Sequence, residues 1–567
     1  MKEKLQEHIR KALENLGIQA GTVLLEHPAD MNNGDYSTNI ALAYAKQISS
    51  SPRELAEKIK AEIQKDTSKE ISRIEIAGPG FINFYLSRDF FADSVKDILA
   101  QKEEWGKNEI LAGKKVMVEY TQPNPFKPFH IGHLMSNAIG ESISRIVEFS
   151  GARTVRANYQ GDVGPHVAKA IWGIVNSGET YEGKNALWIG EQYAKGSDAY
   201  DTDPFLKEDI DAINKKIYER SDANIITLYD WGRRTTLDAF EDIYKLLGTK
   251  FDYYFFESEM APIGEKIVRT NIGPVFEESN GAIVFHAEKY DSKLHTRVFI
   301  NSKGLPTYET KEVGLTVTKF KKEDPDISII TTAIEQGEYM KVVQKAVSLI
   351  HPDYESRMKH ITHGMMRLAS GKMASRKGNV ITGESLINDS MDVVYEKMTE
   401  RELSEEEKKE IARIVGVAAL KYSILRSSMG SDIVYDFEKS ISFEGDSGPY
   451  LQYTAVRASS ILKKAKTLKL LITNYELLKI PEEVTGLERL LYQFPEVVAH
   501  SYESLEPHHI ATYLTELASA FNTFYANTTI VSLEDSYAPY RVAIVEAFYQ
   551  TMENGLYLLG IKTPEKM

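Results

Sequence analysis

Residues 118–133 read Val-Glu-Tyr-Thr-Gln-Pro-Asn-Pro-Phe-Lys-Pro-Phe-His-Ile-Gly-His, and the chain then runs unbroken from Leu134 to Ser150 before Gly151. Lys115 to Tyr120 is a short apolar run with β-branched residues, the pattern of a buried strand. Leu134, Ala138, Ile139, Ile143, Ile146, Val147 and Phe149 recur at helical spacing, and Gly151 stands where a left-handed cap is expected. A strand, a proline-rich turn and a helix are therefore predicted. The first turn of a helix has unpaired N–H groups and a partial positive charge, which suit a phosphate. His130 and His133 stand there, Gly132 between them lets a ligand lie against the backbone, and Lys127 is near. Together they supply donors for charge that builds on a phosphoryl group. A His-x-Gly-His match also arises by chance in a chain this long at a rate of about a few per cent. Context has to decide, and nothing nearby completes a metal ligand set.

A chain of 567 residues is too long for one core, and about three or four domains are expected. Apolar residues at 42% and charged residues at 26% fit a soluble globular protein. Zero cysteines exclude disulfides, thiolate metal sites and cysteine nucleophiles. No apolar run reaches membrane-spanning length, and Met1 to Asn15 is charged and amphipathic rather than a signal peptide, so a cytoplasmic location with no membrane partner is expected. The net charge of −14 argues against a nucleic-acid partner, but an acidic body can carry local basic faces. Lys463, Lys464, Lys466 and Lys469 form one.

Residues 1–108 read as a small α+β domain. Lys4 to Leu16, Thr38 to Ile48 and Pro52 to Ile63 have helical patterns, and Ile74 to Ile76 and Phe81 to Leu86 are strand-like. An α/β region spans 109–390. Its second strand candidate, Thr154 to Tyr159, leads into Gly161-Asp162-Val163-Gly164, a glycine turn that fits neither the dinucleotide nor the Walker pattern. Residues 175 to about 300 read as an insertion with an acidic section (Glu179 to Asp211), a long helix (Asp230 to Leu247) and aromatic strands (Phe251 to Phe255, Ala282 to His286). The α/β pattern resumes with a helix after Leu305-Pro306-Thr307-Tyr308, the strand Ile327 to Thr332, and Glu335-Gln336-Gly337. The segment from Gly371 to Asn379 is a short cationic loop bracketed by glycines, suited to closing over phosphates. Residues 391–444 form a helical connection, and 445–567 are nearly all helical, including Pro449 to Leu471, Leu487 to Ser501, Pro507 to Ala526 and Tyr540 to Leu559.

His130-Ile131-Gly132-His133, with Lys372-Met373-Ala374-Ser375-Arg376 far downstream, resembles the paired signature motifs of class I aminoacyl-tRNA synthetases. Finer features resemble the arginyl family within that class. These are Val118-Glu119-Tyr120 through Lys127-Pro128, Asn158 to Gly164, Gly445 to Tyr453, and the ending Leu559-Gly560-Ile561 to Met567. Gly34-Asp35-Tyr36 and Ala77 to Asn83 resemble that family's additional first domain. The resemblance implies a Rossmann-like parallel-sheet catalytic domain with an insertion, a small α+β N-terminal domain contacting the tRNA elbow, and an all-α C-terminal anticodon-binding domain.

It also implies a reaction. Arginine's carboxylate attacks the α-phosphorus of ATP, pyrophosphate leaves, and the adenylate esterifies the terminal adenosine of arginine tRNA. The partners are then arginine tRNA, L-arginine and ATP with Mg2+, and the protein is a monomer without zinc. Catalytic roles fall on Lys127, His130, His133, Lys372, Arg376 and Lys377. ATP would meet His130, Gly132, His133, Asn158, Gly161, Asp162, Gly164 and Met373. Arginine would meet Glu119, Asn124, Tyr308, Glu312 and Gln336, with Tyr308 and Glu312 one helical turn apart. A guanidinium is planar and always charged and favours carboxylates in a forked arrangement. Tyr453, Arg457, Tyr525 and Met567 are the tRNA candidates. Two positions depart from the family pattern: Ser375 stands where a second lysine is usual, and Glu312 where aspartate is more frequent. A nucleotidyltransferase shares the histidine turn but needs neither the helical tail nor the first domain. A synthetase-like regulator that binds tRNA or arginine without chemistry has no physical reason to keep Lys127, His130, His133 and Lys372 together.

Overall fold

The computed structural model describes residues 1–19, 21–66, 68–369, 382–470 and 478–567. Lys372, Met373, Arg376 and Lys377 lie outside the described residues. The chain forms two compact units. One comprises Met1–Trp105, Arg457–Pro495 and Glu516–Met552, and the other Gly106–Val456, Glu496–Thr515 and Glu553–Met567.

In the first unit, β1 (Tyr36–Thr38), β2 (Ile71–Ala77) and β3 (Phe81–Leu86) form an antiparallel sheet in the order β1-β3-β2. Thr38, expected to open a helix, instead pairs with Ile82, and its hydroxyl donates to the Leu24 carbonyl. The helix begins at Ile40. Helix Pro52–Gln64 starts with a reciprocal Ser51–Glu54 cap and proline in its first turn, where its missing N–H costs nothing. The core of this sheet takes in Tyr492, whose ring meets Tyr36, Phe90 and Phe91. Arg88 pairs with Glu488 at 2.6 Å, and Arg489 with Asp35. The stretch Leu487 to Ser501, expected as one helix, is two: Gly486–Leu491 and Phe494–Ser504. Pro495 accounts for the break, because a proline ring clashes with the preceding helical turn but fits the first turn of a new helix.

In the second unit, β4 (Lys115–Glu119), β5 (Arg153–Gln160) and β6 (Tyr253–Phe256) precede a small antiparallel sheet of β7 (Glu277–Ser279), β8 (Ala282–Phe285) and β9 (Arg297–Ile300). Then come β10 (Ile327–Ala333), β11 (Met358–His363), β12 (Met366–Leu368) and β13 (Ile433–Tyr435), the last two pairing with each other. The central sheet is parallel, in the order β11-β10-β4-β5-β6. The chain leaves β4 in one direction to β5 and β6 and later returns on its other side to β10 and β11. A switch point therefore lies between β4 and β10, and parallel sheets bind ligands at the carboxyl ends of such strands.

The expected insertion at 175–300 is not one continuous insertion. β6 falls inside it and pairs with β5 from Ala157–Tyr253 to Gln160–Phe256. Its aromatic alternation is that of a sheet strand. The acidic section forms helices Ala186–Thr202 and Pro204–Glu219, capped by Asn185 and Asp203. These bury Trp188, Ile189, Ile210 and Ile217 against Val167 and Ile171 of helix Pro165–Val175. The charge on their outer faces masks the apolar stripe in the sequence.

Helices Glu257–Thr270 and Tyr308–Glu323 cross backbone to backbone. A Cβ on Gly264 would lie 1.9 Å from the Thr310 carbonyl oxygen, and one on Gly314 would lie 2.3 Å from that of Met260. Neither backbone can yield without separating the helices, so Gly264→Ala is expected to lower stability by about 3 kcal/mol. The midpoint of urea unfolding measures it, and an unchanged midpoint would refute the close approach. Among the described residues, no helix is long and apolar enough to cross a membrane.

Candidate active site

A cavity of about 280 Å³ opens at the carboxyl ends of β4 and β10. Thr121 continues from β4 onto its wall, and Thr332 and Ala333 reach it from β10. Its mouth is the start of helix Ile131–Phe149, where His130 is the N-cap. The two histidines cap each other. His133 N–H donates to His130 Nδ1 at 3.3 Å, and His130 N–H donates to His133 Nδ1 at 3.2 Å. Their rings stack with centroids 3.4 Å apart.

This reciprocal cap fixes the tautomers. Each Nδ1 is an acceptor, so each neutral ring carries its proton on Nε2 and donates from there. Both rings are neutral at physiological pH. Desolvation first, and the Lys127 charge second, hold His130 down to about 4. Complete burial, then His130 and Lys127, hold His133 well below the ordinary range. Lys127 is itself lowered by burial, against the pull of Glu257, and its Nζ lies 5.4 Å from the centre of the Tyr193 ring. Lys127, His130, Gly132 and His133 all line the cavity.

The same cavity is also lined by the carboxylates of Glu257 and Glu312. Tyr308 and Glu312 both line it, as expected from their spacing, together with Asn124 and Gln336. Glu312 is buried, and its Oε2 has no hydrogen-bond partner among the described residues. Burial first, and the Glu119 charge second, push its carboxyl up to about 8. Glu257, also on the wall, accepts from Lys311 Nζ at 2.6 Å.

Glu119 does not line the cavity. It is fully buried, Oε2 accepting from Lys319 Nζ at 2.6 Å and Oε1 from Gln122 Nε2 at 2.8 Å. Gln122 occupies the wall instead. Three expected ATP-binding residues are likewise set back from it. The Asn158 side chain accepts from the Gln122 N–H and donates to the Tyr244 hydroxyl. Asp162 is wholly committed to Arg233, Tyr229 and both the N–H and the hydroxyl of Ser258. Gly164, at φ +128°, is the N-cap of helix Pro165–Val175. A buried polar side chain needs partners, and Asn158 and Asp162 use theirs to fix the turn behind the cavity. Gly161 does line it, and a Cβ there would meet Asn124 Oδ1 at 2.2 Å.

Glu257, Lys311 and Tyr339 stand in no sequence motif, and the crossing of helices Glu257–Thr270 and Tyr308–Glu323 is what brings Glu257 to Lys311. Tyr159, which also lines the cavity, lies inside the Asn158–Gly164 stretch.

Of the tRNA candidates, Arg457 donates to Asn522 Oδ1 at 2.6 Å and sits 5.3 Å from the centre of the half-exposed Tyr525 ring. Tyr453 is partly exposed and meets Phe443 edge-on. Met567 packs, partly buried, against the cluster of Val393, Val415 and Ile441. An apolar thioether is stabilised by such a contact.

The family model described as class I tRNA synthetases (R), catalytic domain, matches residues 94–437. The arginyl tRNA synthetase N terminal domain matches residues 3–86, and the DALR anticodon binding domain matches 451–567. Among curated proteins, the chain is 30% identical to the arginine–tRNA ligase of Clostridium perfringens, with 100% of this chain and 99% of that one covered. It is 33% identical to that of Fusobacterium nucleatum, with 99% and 98% covered. Its fold matches Thermus thermophilus arginyl-tRNA synthetase with a TM-score of 0.81 at 23% identity, each chain covered in full. The Plasmodium falciparum arginyl-tRNA synthetase matches with a TM-score of 0.80 at 19% identity, 100% of this chain and 99% of that one being covered. The matched models, the full-length identity and the histidine turn at the sheet's switch point agree, and the chain belongs to the class I arginyl-tRNA synthetases.

Proposed function

We propose that the cavity at the carboxyl ends of β4 and β10 is where this arginine–tRNA ligase joins arginine to ATP. The observation that carries the reading is the buried Glu312 carboxyl, with an oxygen unpartnered among the described residues, lining the same cavity as the nitrogen donors Lys127, His130 and His133. A guanidinium supplies the positive charge and the N–H groups that Glu312 lacks. Tyr308 flanks it, and Asn124 and Gln336 are assigned to the amino acid's backbone end.

The carboxylate of arginine attacks the α-phosphorus, and the bond to the bridging oxygen of pyrophosphate breaks. His130 Nε2–H, His133 Nε2–H and the Lys127 ammonium donate to the oxygens that gain charge. No proton transfer is required of the neutral imidazoles. ATP enters as its magnesium complex, the metal belonging to the substrate. Lys372, Met373, Arg376 and Lys377 are assigned to the departing pyrophosphate, and Gly132 and Gly161 to close backbone approach by the nucleotide. Asn158, Asp162 and Gly164 act by holding the Gly161 turn. The adenylate then esterifies the terminal adenosine of arginine tRNA.

For the tRNA we assign residues 1–108 to the elbow, 109–390 to catalysis, and 445–567 to the anticodon through Tyr453, Arg457 and Tyr525. The protein acts as a cytoplasmic monomer without zinc. Exchange of labelled pyrophosphate into ATP, with each amino acid in turn and with or without arginine tRNA, tests the reading. Exchange with arginine alone among amino acids supports it. Absence of exchange with any amino acid, while arginine tRNA still binds, overturns it.

A further inference from the structure

We propose that Glu506, His508 and His509 form a binding site for a divalent transition-metal cation that favours imidazole, such as Zn2+ or Co2+, at the turn between helices Phe494–Ser504 and His508–Asn527. None of the three lines the arginine cavity. The site is additional to the ligation, which itself calls for no zinc.

The backbone of the turn is held by its own hydrogen bonds. Leu505 reverses the chain at φ +55°, and the N–H groups of Leu505 and Glu506 donate to the carbonyls of Tyr502 and Ser501. The Ser501 hydroxyl donates in turn to the Glu506 carbonyl at 2.7 Å. The second helix then begins, with the N–H groups of Ile510 and Ala511 donating to the Pro507 carbonyl. Glu506 is thus fixed between two helices, and His508 and His509 stand on the first turn of the second. A ligand set on a braced backbone loses little freedom when it closes on an ion.

Each of the three residues offers one ligand atom within 4.8 Å of the other two. Glu506 Oε2 is 3.0 Å from His508 Nδ1 and 3.8 Å from His509 Nε2. A tetrahedral zinc ion holds its nitrogen and oxygen ligands about 3.3 Å apart, so small side-chain rotations complete the set. The shorter approach contains no hydrogen bond: His508 Nδ1 is buried and unpartnered among the described residues. At that separation a carboxylate oxygen and a bare imidazole nitrogen repel through their lone pairs, and a cation between them replaces the repulsion with two bonds. Desolvation first, then His508 and His500, hold His509 down to about 4, so at neutral pH its ring has the uncharged form that ligates. The fourth position is left to water or to the exposed His500, whose ring centre lies 4.3 Å from that of His509. Two nitrogens and one oxygen suit Zn2+ or Co2+, whereas Mg2+ and Ca2+ favour oxygen alone.

The rival reading is a protonated His508 paired with Glu506, which takes up no metal. Equilibrium dialysis of the untagged full-length protein against Zn2+ alone, repeated in excess Mg2+, separates the two. A single Zn2+ should be retained per chain and should survive the Mg2+. Co2+ in its place should give the stronger visible absorption of tetrahedral coordination. Glu506→Gln, His508→Gln and His509→Gln should each weaken Zn2+ binding by about tenfold or more, since a direct ligand is worth at least as much as the groups that orient one. All three should keep the wild-type kcat for pyrophosphate exchange. Should one variant fail to fold, the other two carry the comparison. Absence of retained Zn2+ in the wild type leaves only the ion pair and overturns the proposal. Equal retention by the wild type and the variants places the metal elsewhere on the surface and also overturns it.

Discussion

Glu312→Gln should raise the arginine KM in pyrophosphate exchange by roughly 100-fold or more while leaving the ATP KM within about a factor of two, since breaking one side of a buried ion pair costs about 3 kcal/mol or more. The amide keeps the size of the side chain and loses the charge, so the arginine site remains the same shape. Wild-type behaviour carries a second signature. Burial and Glu119 raise the Glu312 carboxyl to about 8, whereas the guanidinium requires the carboxylate. Below pH 8 the competent form is a minority that falls about tenfold per unit, and the apparent arginine affinity falls with it. Arginine KM should therefore decrease from pH 6.5 to 8.5 and then level off, and in Glu312→Gln the slope should vanish. For stability the sign is the reverse. A raised folded-state value means that this group's contribution is fully present below its unfolded value of 4.5 and is lost as pH rises through about 8. The free protein should become easier to melt across that upper range, with saturating arginine offsetting the change. A flat arginine KM in wild type would exclude Glu312 from the arginine site.

His130→Asn should lower kcat for exchange by about 100- to 1,000-fold, the effect of removing one donor from a developing oxyanion. Asparagine is among the best helix N-caps and retains an acceptor for the His133 N–H, so the melting temperature should barely change. His130→Ala loses both functions and should cost about 1 kcal/mol of stability in addition. The contrast between the two variants separates catalysis from capping. If asparagine retained wild-type exchange, the Nε2 donor would have no role in the chemistry.

The strand–turn–helix at 115–151 was legible because its apolar periodicity, prolines and closing glycine all agree, and the structure has β4 at Lys115–Glu119 and the helix at Ile131–Phe149. Tyr308 and Glu312 reach one cavity wall because spacing along a helix determines a shared face. What sequence spacing does not encode is which polar residues are consumed by one another. Glu119 and Asp162 stand within recognisable motifs, yet Lys319, 200 positions away from Glu119, and Arg233, 71 positions from Asp162, take their carboxylates. The same holds for β6: a strand at a sheet edge is recognised by its neighbour, and β5 lies nearly a hundred residues earlier. Helices Ala186–Thr202 and Pro204–Glu219 were hidden by surface charge rather than by weak apolar faces.

The backbone contact at Gly264 and Gly314 turns the helix of Glu312 into a fixed ruler. Where side chains separate two helices, a substitution at the seam adjusts their spacing by fractions of an ångström, and a binding pocket can be retuned from a distance. Here peptide touches peptide, and that adjustable layer does not exist. The length of the side chain at position 312 is then the remaining means of setting how far the carboxylate projects. Exchanging glutamate for aspartate would withdraw it by about 1.5 Å, the length of one carbon–carbon bond. Divergence in this pocket is thus confined to whole-methylene steps, and a shorter acid at 312 requires a compensating change on the facing wall rather than a shift of its own helix.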